Sequence, residues 1–175
     1  MGLGRRTLFL VPFFAFAIMV AVVPTVALGD RDTDNVFHAR LTGISEVPAI
    51  NSNFSGNVRL VLSTDKIDFT LSYSGADSTV IQSHIHIGQA AVNGAVSVFL
   101  CGPAAPAKQT CPSPSGTVTG TLTAADVLNL PAQGVAAGDL AGLEKMIRAG
   151  VTYSNVHTAN HPGGEIRDQN RASDS

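Results

Sequence analysis

The chain has 175 residues and a formal net charge of −2, and 45% of its residues are hydrophobic. This length suits one domain and is short for two. Charged residues are spread evenly along the chain, so no basic patch indicates a nucleic acid or an anionic membrane as a partner.

The first 29 residues predict a secretory signal peptide. Arg5 and Arg6 precede an uncharged run over 7–29, whose apolar centre ends in the small-residue exit Ala27-Leu28-Gly29. A permanent membrane anchor is the alternative, because the run is just long enough to span a bilayer. Two prolines in the run and the small-residue exit favour cleavage after Gly29, which leaves no membrane attachment.

The remaining chain is predicted to be one β domain over 36–169, with a flexible lead-in at 30–35 and a flexible tail at 170–175. Short runs of alternating apolar and polar residues dominate it, as is typical of half-buried strands. The predicted strands cover 36–41, 57–63, 66–73, 79–87, 95–100, 116–122, 151–157 and 165–169. About eight strands with frequent turns favour an all-β, antiparallel sandwich or barrel.

Helical signals are confined to residues 123–149. Thr123 and Asp126 have the spacing of a capping box. The stretch 139–149 places apolar residues on one stripe, and Gly150 follows where a helix ends. We expect a short helical crossover between two groups of strands.

Two cysteines, Cys101 and Cys111, flank a turn-forming stretch between two predicted strands. In an exported chain a disulfide is favoured over two free thiols. It closes a short loop and contributes about 2.8 kcal/mol in the chain-entropy model. The spacing of the pair is not that of zinc ligands.

Three motifs stand out in the predicted β domain. They are Gly43-Ile44-Ser45-Glu46-Val47-Pro48; Ser83-His84-Ile85-His86-Ile87-Gly88 with Asn93-Gly94 beyond it; and Asn155-Val156-His157-Thr158, continuing through Pro162-Gly163-Gly164-Glu165-Ile166-Arg167. In this order they resemble the signature of the CHRD domain, the module named after chordin. The resemblance covers about Phe37 to Gln169. Asp168 departs from the pattern, since a glycine usually follows the arginine.

The resemblance implies an extracellular β-sandwich of the single-domain type found in microbial secreted proteins. In chordin, an antagonist of growth factors, the module is repeated. No enzymatic activity is implied, and the sequence contains no nucleophile elbow, no carboxylate pair suited to glycoside hydrolysis and no phosphate-binding loop. The leading interpretation is a non-catalytic extracellular or cell-envelope module without a cofactor. It either binds a protein or glycan partner or has a structural role.

The histidines support an alternative, an extracellular copper or zinc protein. Residues i and i+2 of a strand share a face, so His84 and His86 project side by side while the isoleucines between them take the core side. With His157, and with His161 or Glu165 as further members, they are suitable metal ligands. A hydrogen-bonded polar cluster on the sheet surface explains the same residues, and predicts that chelators leave stability unchanged.

Copper–zinc superoxide dismutase also carries a His-x-His strand and a late histidine. In this chain no histidine lies between His86 and His157. Neither a bridging imidazole nor a zinc loop can therefore be assigned, so the sequence does not predict a dismutase site.

Overall fold

The structure is a computed structural model that describes residues 1, 2, 4, 35–103 and 107–173. Nearly all of the predicted signal peptide (1–29) and of the predicted lead-in (30–35) lies outside these residues. Within the described part of the chain, no helix has the length and apolar character needed to cross a bilayer.

The described residues form nine strands and one α-helix. The strands are β1 (Val36–Thr42), β2 (Ser55–Ser63), β3 (Lys66–Ser74), β4 (Val80–Ile87), β5 (Ala95–Cys101), β6 (Gly116–Leu122), β7 (Thr152–Thr158), β8 (Ile166–Gln169) and β9 (Arg171–Ala172); the helix is α1 (Leu140–Arg148). Eight of these strands are the predicted ones, with ends that differ by at most two residues.

The strands form one antiparallel sheet that curls into a nearly closed barrel. Their order is β5-β4-β7-β8-β1-β2-β3-β6, and β9 pairs with β1. The two end strands, β5 and β6, approach each other across the remaining seam. A disulfide between Cys101, at the end of β5, and Cys111, in the connection to β6, lies beside this seam. The predicted all-β antiparallel fold is confirmed.

The connection between β6 and β7 contains the predicted helical crossover. Thr123 and Asp126 form the expected capping box around a short 3₁₀ turn at Ala124–Asp126. Asp139 caps α1 by accepting a hydrogen bond from the Gly142 amide, and the helix buries its apolar stripe in the core. The prediction that helix is confined to residues 123–149 is wrong in one place. A 3₁₀ turn at Gly43–Ser45 follows β1, because the Gly43 carbonyl accepts from two later amides.

The predicted flexible tail at 170–175 is wrong for 170–173. Asn170 is fully buried, and its amide nitrogen donates to Thr152 Oγ1 at 3.1 Å. Arg171–Ala172 pair with β1 as β9. A polar segment gives no hydrophobic signal, so the sequence pattern missed a strand that side-chain hydrogen bonds hold in place. Residues 174–175 lie outside the described part of the chain.

Apolar side chains fill the inside of the barrel. The most completely buried of them are Leu41, Leu60, Ile67, Leu71, Ile85, Val98, Val118, Leu122, Leu143, Ile147, Val156 and Ile166. In β4 and β7 the residues between these apolar positions point to the opposite side. We call this side of β4, β7 and β8 the outer face.

Candidate functional site

Three histidines meet on the outer face, as the alternation along the strands predicts. His84 and His86 lie on β4, and His157 lies on the neighbouring strand β7. One ring nitrogen of each histidine lies within 4.8 Å of a ring nitrogen of the other two. We call these three residues the histidine cluster.

The histidine cluster is buried, although it lies outside the barrel. The exposed fractions of His84, His86 and His157 are 3%, 7% and 5%. The prediction that a polar cluster of these histidines lies at the sheet surface is therefore wrong, because the side chains are buried. Two loops, 43–54 and 88–94, fold over the outer face and contact each other, since the side-chain amide of Asn93 donates to a backbone oxygen of the first loop.

Aromatic side chains surround the cluster. The Tyr153 ring is stacked on the His86 ring, with 4.6 Å between centroids. The Phe99 ring meets the His84 ring edge-on at 4.4 Å. Sequence reasoning did not identify Tyr153 as a site residue. The signal that could have found it is the alternation along β7, which places Tyr153 on the same face as His157. The rings close the cluster laterally and exclude water from it.

Hydrogen bonds fix which nitrogen of each neutral ring carries the proton. His157 Nδ1 lies 2.9 Å from the Pro162 carbonyl oxygen, so Nδ1 donates and Nε2 keeps a lone pair. His84 Nδ1, 3.0 Å from that lone pair, must donate to it. His86 Nδ1 donates to the Gly94 carbonyl oxygen at 3.0 Å. The Nε2 atoms of His84 and His86 are therefore both left with lone pairs.

Burial keeps the histidine cluster neutral. Desolvation lowers the pKa of His84 to about 3 and that of His86 to about 4. It also lowers the pKa of His157. Close contacts between the rings add to the effect for His84 and His86. Neutral imidazole is the form that binds metals, so burial favours the ligand form over the protonated form.

Four buried acceptors on this side of the described structure have no hydrogen-bond partner. They are His84 Nε2, His86 Nε2, Asn155 Oδ1 and Glu46 Oε1. Asn155 lies opposite His84 in the β4–β7 register. Its side-chain amide lies close to the rings of His84 and His86 and acts to raise the pKa of both, against the larger effect of burial. An unsatisfied buried acceptor costs about 1–3 kcal/mol. The three neutral acceptors among them, the two Nε2 atoms and Asn155 Oδ1, have lone pairs and no donor in this arrangement, which matches a cation.

Glu46 and Arg167 lie next to the cluster without forming an ion pair within 4.0 Å. Burial raises the pKa of Glu46 to about 7, against the opposing effect of the Arg167 charge. The Arg167 guanidinium lies 4.1 Å above the Tyr153 ring and donates to Asn93 Oδ1 at 2.9 Å. Arg167 is thus a buried positive charge held by a ring and by neutral acceptors.

His161 and Glu165 do not extend the histidine cluster. Both belong to a separate group with Asp77, in which one ligand atom of each lies within 4.8 Å of the others. The Glu165 carboxylate accepts hydrogen bonds from Ser52 and Thr158, each at 2.6 Å. Its two oxygens are thus already engaged by hydroxyl groups.

These observations define a class of protein: an antiparallel β-barrel module with three neutral histidines enclosed between the sheet and two covering loops. The profile of the CHRD domain matches residues 37–169. The chain therefore belongs to the CHRD domain family, as the three motifs predicted, and this domain is typical of extracellular proteins. No curated protein and no solved structure matches the chain.

Proposed function

We propose that the protein is a secreted, non-catalytic CHRD module of the microbial single-domain type that holds a copper or zinc ion in its histidine cluster. The observation that carries the proposal is the set of lone pairs in one enclosed place. His86 Nε2 is buried without a partner, His84 Nδ1 lies 3.0 Å from His157 Nε2, and one ring nitrogen of each histidine lies within 4.8 Å of the other two. Imidazole nitrogens are suitable ligands for copper and zinc alike.

The geometry requires only small adjustments to hold an ion. Metal–nitrogen distances of about 2.0–2.1 Å place ligand nitrogens about 3.5 Å apart. His84 Nδ1 and His157 Nε2 are already 3.0 Å apart. Moving the His84 proton from Nδ1 to Nε2 frees Nδ1 as a ligand and supplies Asn155 Oδ1 with a donor. His86 contributes Nε2, while its Nδ1 continues to donate to Gly94.

Enclosure supports a holding role over catalysis. A catalytic metal keeps one coordination position open to water or substrate. Here the side chains of the cluster are almost fully buried, and the covering loops separate them from solvent. An ion held in this way joins β4 to β7 and stabilises the fold. A protein or glycan partner of the module remains a prediction.

The second candidate is a structural cluster without metal, which the position of Asn155 favours. If the Asn155 amide is turned around, its nitrogen faces the imidazole lone pairs and its oxygen faces Glu46. With its raised pKa, Glu46 carries a proton that it can donate to that oxygen. All four unsatisfied acceptors then acquire partners without an ion.

Metal analysis and chelator titration separate the two candidates. The protein should be exported, purified without an affinity tag, and analysed for bound metal. We expect about one ion per chain, and a chelator should lower the unfolding midpoint because ligand is removed from the native state. Added zinc or copper should restore it. His86→Ala should abolish this sensitivity, whereas His38→Ala, at an exposed position on β1, should retain it.

The metal-free outcome is equally distinct. Absence of bound metal, together with an unfolding midpoint that neither chelator nor added metal changes, would establish the structural cluster in place of the metal site.

A further inference from the structure

We infer that the ion held by the histidine cluster is monovalent copper, in preference to a divalent ion such as zinc. This inference rests on the proposed function and specifies the ion. Its basis is the charge of the groups around the cluster and the number of ligands that they offer.

The ligands of the cluster carry no charge. Three imidazoles supply the nitrogens, and the Asn155 side chain that interacts with two of them is a neutral amide. The cost of moving an ion out of water rises with the square of its charge in the Born description, so a divalent ion pays about four times the cost of a monovalent ion. Divalent ions in buried sites are usually accompanied by anionic ligands. This cluster provides none of its own.

A fixed positive charge increases this difference. The Arg167 guanidinium lies on one side of the Tyr153 ring, and the His86 ring is stacked against Tyr153 at 4.6 Å. The guanidinium is therefore within about 9 Å of His86, where repulsion weakens binding about twenty-fold per unit of ion charge at an effective dielectric constant of 20. A divalent ion experiences this repulsion twice over.

The ligand count points in the same direction. Zinc in proteins is almost always four-coordinate. The described cluster supplies three nitrogens, and Glu165 is engaged by Ser52 and Thr158. Monovalent copper, a closed-shell ion, is stable with two or three neutral nitrogen ligands. The enclosed, three-nitrogen arrangement therefore suits it.

Glu46 is the group on which the divalent alternative depends. Its Oε1 atom is buried beside Arg167 without a hydrogen-bond partner. Because the enclosed cluster leaves little room for a water ligand, a divalent ion would take this carboxylate as its fourth, anionic ligand. Monovalent copper does not need it, so Glu46→Gln distinguishes the two ions.

The experiment measures the affinities of copper(I), copper(II) and zinc(II) for the full mature protein. Copper(I) is presented anaerobically with ascorbate and a chromophoric copper(I) chelator, and zinc with a chromophoric zinc chelator. We expect one copper(I) per chain, bound at least about 100-fold more tightly than zinc, in line with the charge effects above. Glu46→Gln should leave the copper(I) affinity within about two-fold, because copper(I) does not use this carboxylate as a ligand.

Two results overturn the inference in different ways. If zinc or copper(II) binds as tightly as copper(I), and Glu46→Gln weakens that binding, the ion is divalent and the proposed metal function survives. If none of the three ions binds, the proposed function fails as well. Arg167→Gln provides an independent check, since removal of its charge should strengthen zinc binding more than copper(I) binding. Arg167→Lys, which keeps the charge, should retain the preference.

Discussion

The raised pKa of Glu46 predicts how the free energy of unfolding depends on pH. Burial raises this pKa from its ordinary value of 4.5 to about 7, although the charge of Arg167 opposes the rise. The folded protein therefore holds this proton more tightly than the unfolded chain. The stability that results is present in full below pH 4.5 and is lost as the pH rises through 7.

Glu46→Gln removes this titration and keeps the shape of the side chain. One pKa unit corresponds to about 1.4 kcal/mol, so between pH 5 and pH 8.5 the Glu46 contribution should fall by about 2–3 kcal/mol. The free energy of unfolding of the wild type, minus that of Glu46→Gln, should decrease by this amount over the same range. Any constant effect of the substitution cancels in the comparison between the two pH values.

Urea unfolding of both proteins, metal-free, at several pH values tests the prediction. Thr64→Ser is the control, because Thr64 is exposed in the turn between β2 and β3 and the substitution adds or removes no titratable group; its difference from wild type should be the same at every pH. A Glu46→Gln difference that is constant with pH, or that grows as the pH rises, would refute the assignment of a buried, protonated glutamic acid beside Arg167.

Three further predictions concern other parts of the molecule. Replacement of both Cys101 and Cys111 by alanine should destabilise the protein by about 3 kcal/mol, measured by urea unfolding; an unchanged midpoint would show that the disulfide beside the barrel seam contributes nothing. Gly94→Ala should cost at least about 2 kcal/mol and weaken metal binding, because its Cβ would lie 1.8 Å from the Ile87 carbonyl oxygen. Gly163→Ala, whose Cβ would meet nothing within 4 Å, should behave as wild type. N-terminal sequencing of exported protein should find a mature chain that begins near Asp30, and a membrane-embedded chain that retains Met1 would contradict export.

The strand pattern of this chain could be predicted because each strand has one face in an apolar core. In β3, Ile67, Phe69, Leu71 and Tyr73 are buried and alternate with less buried polar residues. The alternation fails in β7, where every residue is buried. One face of that strand contacts the core and the other contacts the covering loops, and periodicity does not report burial by loops from elsewhere in the chain.

The histidine cluster could be predicted only in part for the same reason. Alternation placed His84 and His86 on one face, and the motif order brought His157 into consideration. The sequence did not show that loops 43–54 and 88–94 cover them. Without that cover the imidazoles are ordinary surface groups, and with it they become neutral, dehydrated ligands. The same loops bury Glu46, and this burial raises the pKa of its carboxyl group.

The three motifs of the chain converge on this one enclosed region. The first supplies Glu46, the second supplies the two histidines of β4, and the third supplies His157 and Arg167. The apolar core does not require these residues, because they lie on the opposite face of the sheet. Hydrophobic residues of suitable size would pack on that face equally well. Burial of so many polar groups lowers stability unless a partner satisfies them. Unpaired acceptors remain in that region, and the cation that we propose for the histidine cluster would give the three imidazoles such a partner.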